Sequence, residues 1–359
     1  MFMHTGFIVA ALLAVLGSGQ SRAAEPCDLS TAACLRAHYS APQAQWPPAQ
    51  IDAGQPQQDL APLPILPALD PARVALGADL FSEPLLSQAR DIACSNCHDP
   101  QKAFADGLRV SPGHQQQLGT RNTPSVVAAA LIEPLFWDGR SDSLEDQALK
   151  PIEAPHEMAA RLPEVLHRLN QNPDYRQRFA DVFDHSPIDS GQLASALADF
   201  QRSLIPRDRP LDRFLRGDTT ALSDQQLQGL HLFRTKARCL NCHQGAALTD
   251  QRFHNLGLTY YGRKYEDTGR YQVTADPSDV GKFRTPSLRL VSQTGPWMHN
   301  GLFPNLSGVL RMYNAGMPRP HPAAHQQNDP LFPQTSELLQ PLGLDSDELA
   351  ALEAFLQAL

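Results

Sequence analysis

Cys94-Ser95-Asn96-Cys97-His98 recurs as Cys239-Leu240-Asn241-Cys242-His243, and this repeated pentad decides how the chain is read. In Cys-x-x-Cys-His, two thiols form thioethers to a porphyrin and the adjacent histidine reaches its iron as proximal ligand. Two copies imply two covalently attached c-type haems, held by Cys94, Cys97, Cys239 and Cys242 and ligated by His98 and His243. A zinc centre would need four ligands closing one tetrahedron. A thioredoxin-type Cys-x-x-Cys would have no use for the following histidine twice.

Outward from each pentad the chain repeats itself. Leu76-Gly77 and Leu80-Phe81 precede the first motif as Gly229-Leu230 and Leu232-Phe233 precede the second. Beyond the motifs, Arg121-Asn122-Thr123-Pro124-Ser125 answers Phe283-Arg284-Thr285-Pro286-Ser287. Gly139 and Gly301 each follow fifteen residues after the proline, and Leu144 and Leu306 five residues later. Three elements in one register indicate duplication rather than chance agreement of loop residues. The expected fold is mainly α: two cytochrome c-like domains, each around one haem, with long ordered loops.

The 359 residues, 42% hydrophobic, suffice for two such cores. A net charge of −8 with no basic run argues against nucleic acid and against an anionic membrane surface. Phe7 to Leu16 is apolar and is followed by small residues up to Ala23 and Ala24. Residues 1–24 therefore read as a signal peptide, with an uncleaved anchor as the alternative because the segment before the run lacks Lys and Arg. No later segment reaches transmembrane length, so the mature chain is expected in an oxidising compartment, most simply a bacterial periplasm. Cys27 and Cys34, the remaining thiols, are close enough in sequence to close a small disulfide loop.

Residues 25–70 read as a Pro-rich N-terminal arm carrying Cys27 and Cys34, in which residues 41–70 cannot form a regular helix and are expected to be extended. Helices are expected over 71–81, where Asp70 caps Pro71, and around 143–150, 163–171, 173–183, 189–204, 223–235 and 345–358. A boundary near Pro206 to Pro210 separates an N-terminal haem domain, 71–206, from a C-terminal one, 207–359.

The order of both pentads, Arg121-Asn122-Thr123-Pro124, Phe136-Trp137-Asp138-Gly139-Arg140, Glu157-Met158 and His299-Asn300-Gly301 resembles the bacterial di-haem cytochrome c peroxidase and MauG superfamily across nearly all of the mature chain. The resemblance implies a peroxide site at the N-terminal haem, electron transfer at the C-terminal haem and a tryptophan, here Trp137, between them. Glu157 matches the catalytic glutamate and Gln147 the distal glutamine that assists it; taken alone they would be a loop acid and a helix-surface amide. A calcium ion is implied between the domains at Asn122, Thr294 and Pro296.

Two positions bear on subtype. His114 aligns with a histidine that closes the resting peroxide haem in many cytochrome c peroxidases, though a solvent-facing loop residue is the alternative. Tyr313, fourteen residues after His299, stands where those peroxidases place a methionine, and MauG-like members a tyrosine, as the distal ligand of the second haem iron; Met312 and Met317 compete for that role. Phenolate lowers a haem potential that methionine raises. The segment Thr235-Lys236-Ala237-Arg238 lacks the aromatic residue that MauG uses for long-range oxidation of its partner. The expected activity is reduction of hydrogen peroxide by a cytochrome c peroxidase-type oxidoreductase, with electrons from a small cytochrome c or cupredoxin. The alternatives are MauG-like oxidation of side chains in a protein substrate and a non-enzymatic di-haem electron carrier. Family members are often dimers, so the resemblance also allows a homodimer.

Overall fold

The computed structural model describes residues 27–184 and 186–359; the expected signal peptide lies outside them. Twelve α-helices are found among the described residues. They are α1 (Ala32–Tyr39), α2 (Pro71–Phe81), α3 (Cys94–Cys97), α4 (Leu144–Glu153), α5 (Leu162–Gln171), α6 (Pro173–Val182), α7 (Ser190–Ser203), α8 (Pro210–Leu215), α9 (Asp224–Arg234), α10 (Tyr271–Thr274), α11 (Leu306–Asn314) and α12 (Ser346–Leu356). Two-residue strands, β1 (Phe253–His254) and β2 (Phe283–Arg284), pair antiparallel. The molecule is mainly helical, as expected.

The helix ends follow local chemistry. Asp70 accepts from Ala72 N–H at 2.9 Å with Pro71 in the first turn of α2. Ser223 with Gln226 and Asp345 with Glu348 form capping boxes at α9 and α12. Pro151 does not stop α4, which runs on to Glu153, past the expected end at 150.

The duplication is visible in how these helices pack. In the first half α2 crosses α7 at Gly77, where an added Cβ would fall 2.0 Å from the Ala196 carbonyl oxygen. In the second half α9 crosses α12 at Gly229, and a Cβ would fall 2.0 Å from the Ala351 carbonyl oxygen. Each crossing carries a matching aromatic pair: Phe81 with Phe200, ring centroids 5.0 Å apart, and Phe233 with Phe355, 5.3 Å apart. Each forms its own apolar core, one around Leu80, Leu193 and Leu197, the other around Leu230, Leu352 and Phe355.

Over 41–70 the N-terminal arm contains no α-helix, as expected, and a helix precedes that stretch. This helix, α1, is capped by Thr31 and tied by a Cys27–Cys34 disulfide. The arm is also packed rather than extended from the body: Leu35, Tyr39, Trp46 and Leu60 join the second core. Buried Arg234 of α9 holds the arm through Asp59, the Tyr39 hydroxyl and the Pro47 carbonyl. Proline prevented regular helix over 41–70 but did not prevent burial, because the arm's amides and aromatic rings find partners on the second half.

The halves meet through a reciprocal exchange. Asn122 N–H donates to the His299 carbonyl at 2.7 Å, and Arg284 N–H donates to the Trp137 carbonyl at 2.8 Å. Asn122 and Arg284 occupy equivalent places in the repeat, as do Trp137 and His299, so the two bonds are one contact made twice. Beside them Arg121 binds Asp138 at 2.5 Å and, across the seam, Asp267 at 2.6 and 2.8 Å.

Candidate functional site

One cavity of about 800 Å³ is lined by both pentads. The turn of each motif is closed by the histidine N–H donating to the first cysteine's carbonyl at 2.9 Å. His98 Nδ1 lies 3.1 Å from the Phe104 carbonyl and His243 Nδ1 3.0 Å from the Leu248 carbonyl. A carbonyl can only accept, so the proton sits on Nδ1 and Nε2 keeps its lone pair for a ligand. Burial lowers both imidazoles, which favours the neutral, ligating form. The four motif cysteines are unbridged, and burial pushes the thiols of Cys94 and Cys239 up to about 12. Each pentad thus offers two unbridged sulfurs for thioether formation and one neutral imidazole for iron. The residues present fit two covalently attached haems.

On the His98 side, Glu157 and Gln147 both line the cavity. Gln147 projects from α4, and Glu157 follows it on a loop whose backbone is fixed: Glu157 O accepts from His114 N–H at 2.7 Å. Gly113 packs against this loop so closely that a Cβ would fall 2.2 Å from the His156 carbonyl oxygen. Burial raises the Glu157 carboxyl, with His156 and Arg140 acting in the opposite direction. His114 is not among the lining residues, although its neighbours Pro112 and Gly113 are. The structure thus places Glu157 near Cys94 and Cys97, sets Gln147 on the wall of the same cavity and leaves His114 off it.

On the His243 side, Tyr313 of α11 lines the cavity, whereas Met312 and Met317 do not. Burial and the neighbouring Cys242 and Cys239 raise its phenol. His254, unremarked in the sequence, sits 3.9 Å from Cys242 Sγ and 2.7 Å from Asp250. Burial would lower its imidazole, but the Asp250 carboxylate and Cys242 outweigh that and raise it to about 10.

Between the two sides stands Trp137, its indole N–H donating to the Asn122 carbonyl at 2.9 Å. Its ring lies edge-on to His299, centroids 6.4 Å apart, and His299 stacks on Phe283 at 3.6 Å. Burial pulls the His299 imidazole down to about 4, and its Nε2 has no protein partner. His299 is a site residue that motif reading missed; its equivalence to Trp137 in the repeat was the available signal. Asn122, Thr294 and Pro296 all line the cavity at this seam.

Comparison with known proteins agrees with this geometry. Residues 71–220 match the family model described as di-haem cytochrome c peroxidase. The chain is 36% identical to the methylamine utilization protein MauG of Methylorubrum extorquens, over 87% of this chain and 88% of that one. It is 34% identical to the cytochrome-c peroxidase IdrP1 of Denitromonas iodatirespirans, over 91% and 90%. Among solved structures, a MauG-like protein associated with microbial copper homeostasis superposes with a TM-score of 0.73 at 30% identity, covering 86% of this chain and 95% of that one. No helix among the described residues is long and apolar enough to cross a membrane. With two haem-attachment motifs opening on one cavity and relatives of this similarity along most of its length, the chain belongs to the di-haem cytochrome c peroxidase and MauG family of oxidoreductases.

Proposed function

We propose that the protein reduces hydrogen peroxide to two waters on the His98 side of the cavity, with two electrons arriving by way of the His243 side. The observation that carries this reading is the convergence of Glu157, Gln147 and His98 on one cavity. When bound, the haems supply the iron that takes peroxide and the redox capacity to pass two electrons. Glu157, as carboxylate, takes the proton of the inner peroxide oxygen and returns it to the outer one, which leaves as water. Its raised pKa brings it nearer the operating pH, as proton shuttling requires. The Gln147 amide orients the bound peroxide by hydrogen bonding. Phe104 and Leu248 carbonyls hold the proximal imidazoles in the ligating tautomer. Trp137 bridges the two sides.

The electron donor in this reading is a small cytochrome c or cupredoxin. A second reading, oxidation of side chains in a protein substrate, is favoured by Tyr313 facing the cavity where Met312 and Met317 do not. We place the mature protein in the periplasm, a compartment suited to the Cys27–Cys34 disulfide. A calcium ion at Asn122, Thr294 and Pro296 completes the proposal. Asn122 Nδ2 is committed to the Leu108 carbonyl, which leaves Oδ1 for a hard cation.

The test is stopped-flow mixing of the fully oxidised holoprotein with stoichiometric peroxide, beside a sample first reduced by one electron. With His114 off the cavity, the oxidised form is expected to react at once. Reaction only after reduction would overturn the open resting site, and no peroxide consumption in either sample would overturn the peroxidase reading.

A further inference from the structure

Among the described residues Tyr265 is the one exposed phenylalanine, tyrosine or tryptophan, at 41%. Its connections run inward to the seam of the cavity. The Trp137 indole N–H donates to the Asn122 carbonyl at 2.9 Å, and the Asn122 side-chain amide donates to the Leu108 carbonyl at 2.9 Å. The next residue, Arg109, sets its guanidinium over the Tyr265 ring, 5.3 Å from the centroid. Arg109 also reaches the Asn300 carbonyl at 3.4 Å, one residue after the His299 ring that Trp137 faces. Gly301 lets these segments touch: with φ +62, an added Cβ would fall 2.2 Å from the Arg109 carbonyl oxygen.

The surface end is built to present the ring. Tyr265 has φ +73, a left-handed conformation that a tyrosine adopts only when its surroundings impose it. The Lys264 ammonium lies 4.9 Å from the same ring, and the Tyr260 ring 6.1 Å away edge-on. Two cations beside one phenol attract electron-rich or anionic donors to it. The other route outward, residues 235–238 beside the second motif, has no aromatic side chain.

We infer that Tyr265 is the surface exit for oxidising equivalents, the point at which phenolic donors are oxidised one electron at a time, fed from Trp137 through Asn122 and Arg109. The inference rests on the peroxidase reading above, which supplies the oxidant, hydrogen peroxide. In each of two rounds oxidised Trp137 recovers an electron from Tyr265, whose phenolic proton passes to water. The tyrosyl radical then takes one electron and one proton from a donor phenol. The sum is one peroxide and two phenols giving two waters and two phenoxyl radicals.

The experiment adds peroxide to oxidised holoprotein with a nitroso spin trap and maps the covalent adduct by mass spectrometry; guaiacol oxidation and the initial spectral change are followed in parallel. The expected result is an adduct on Tyr265, lost in Tyr265→Phe together with guaiacol oxidation, while the initial spectral change is retained. Phenylalanine keeps the ring under Arg109 and Lys264. Arg109→Gln, which leaves the phenol in place, is expected to weaken the labelling. Adducts elsewhere with Tyr265 unmodified, or guaiacol oxidation unchanged in Tyr265→Phe, would overturn the inference and leave the peroxidase reading standing. No initial reaction with peroxide would overturn both.

Discussion

Replacing Arg121 by leucine tests whether the seam between the halves is held electrostatically. Arg121, Asp138 and Asp267 have side chains only 13%, 4% and 9% exposed, so the guanidinium faces two carboxylates with little water to replace it. Burial alone would lower the Arg121 guanidinium, but the carboxylates raise it; burial alone would raise Asp267, but Arg121 holds it below the usual range. Removing one partner of a buried pair costs about 3–5 kcal/mol. Asp138 keeps Arg140 at 2.9 Å, so the loss falls mainly on Asp267 and the low end, about 3 kcal/mol, is expected. For 359 residues unfolding as one unit, about 1.3 °C per kcal/mol makes this a fall of about 4 °C in Tm, read by calorimetry of the holoprotein. Arg121→Leu with Asp267→Asn should cost less than Arg121→Leu alone, because no buried charge is left over. The acid profile gives an independent check. Asp267 has a depressed folded pKa, so its contribution is complete above its ordinary value of about 3.9 and is lost as pH falls through the folded value. Arg121→Leu should lack that step. A loss below about 1 kcal/mol, the worth of an exposed pair, or simple additivity in the double variant, would refute the reasoning.

Glu157→Gln should leave the haem spectra intact and slow peroxide turnover by about 10²–10⁴-fold. Because the carboxylate is the working form and burial raises its pKa, wild-type turnover should fall on acidification at a pH above the ordinary glutamate value of about 4.3. That limb should vanish in the variant, and unchanged turnover would sink the role. Tyr313→Met should raise the midpoint potential of the second haem, with Met312→Leu and Met317→Leu silent; spectroelectrochemistry decides, and an unmoved potential contradicts the ligand assignment. Gly229→Ala forces backbone apart at the α9–α12 crossing and should cost about 1–3 kcal/mol in urea unfolding; a neutral substitution would contradict the packing.

The parts of this molecule legible in sequence are those whose causes are local. Pro71 behind Asp70, and Ser223 with Gln226, mark helix starts because cap and first turn are neighbours in the chain. The pentads announce their chemistry for the same reason. Helix α1 escaped notice because eight residues between prolines and a cysteine give little periodicity, and its stability comes from the second core. Helix α11 was foreshadowed by the repeat, since Leu144 opens α4 and Leu306 opens α11, but Gly308 in its first turn disguised it. The Arg121–Asp267 pair was not legible, because a separation of 146 residues leaves no pattern in a single chain, and the repeat marks His299 as the counterpart of Trp137 without showing that it stacks on Phe283. The family resemblance supplied roles for Glu157 and Tyr313 that spacing alone does not dictate.

The packing of the arm also sets a timetable. A ribosome delivers residues 32–60 early, yet the surface they pack on is contributed by Phe214 of α8, His231 and Arg234 of α9, and Asn241 of the second pentad. That segment therefore has no partner surface until the second pentad has emerged, and contacts of such sequence separation form slowly. Until that clasp closes, the second Cys-x-x-Cys-His turn lacks its neighbour Asp52, whose N–H finally meets the Asn241 side chain at 2.8 Å. The arm can thus close only after the second pentad has been made, and until it closes that pentad lacks the arm's contact.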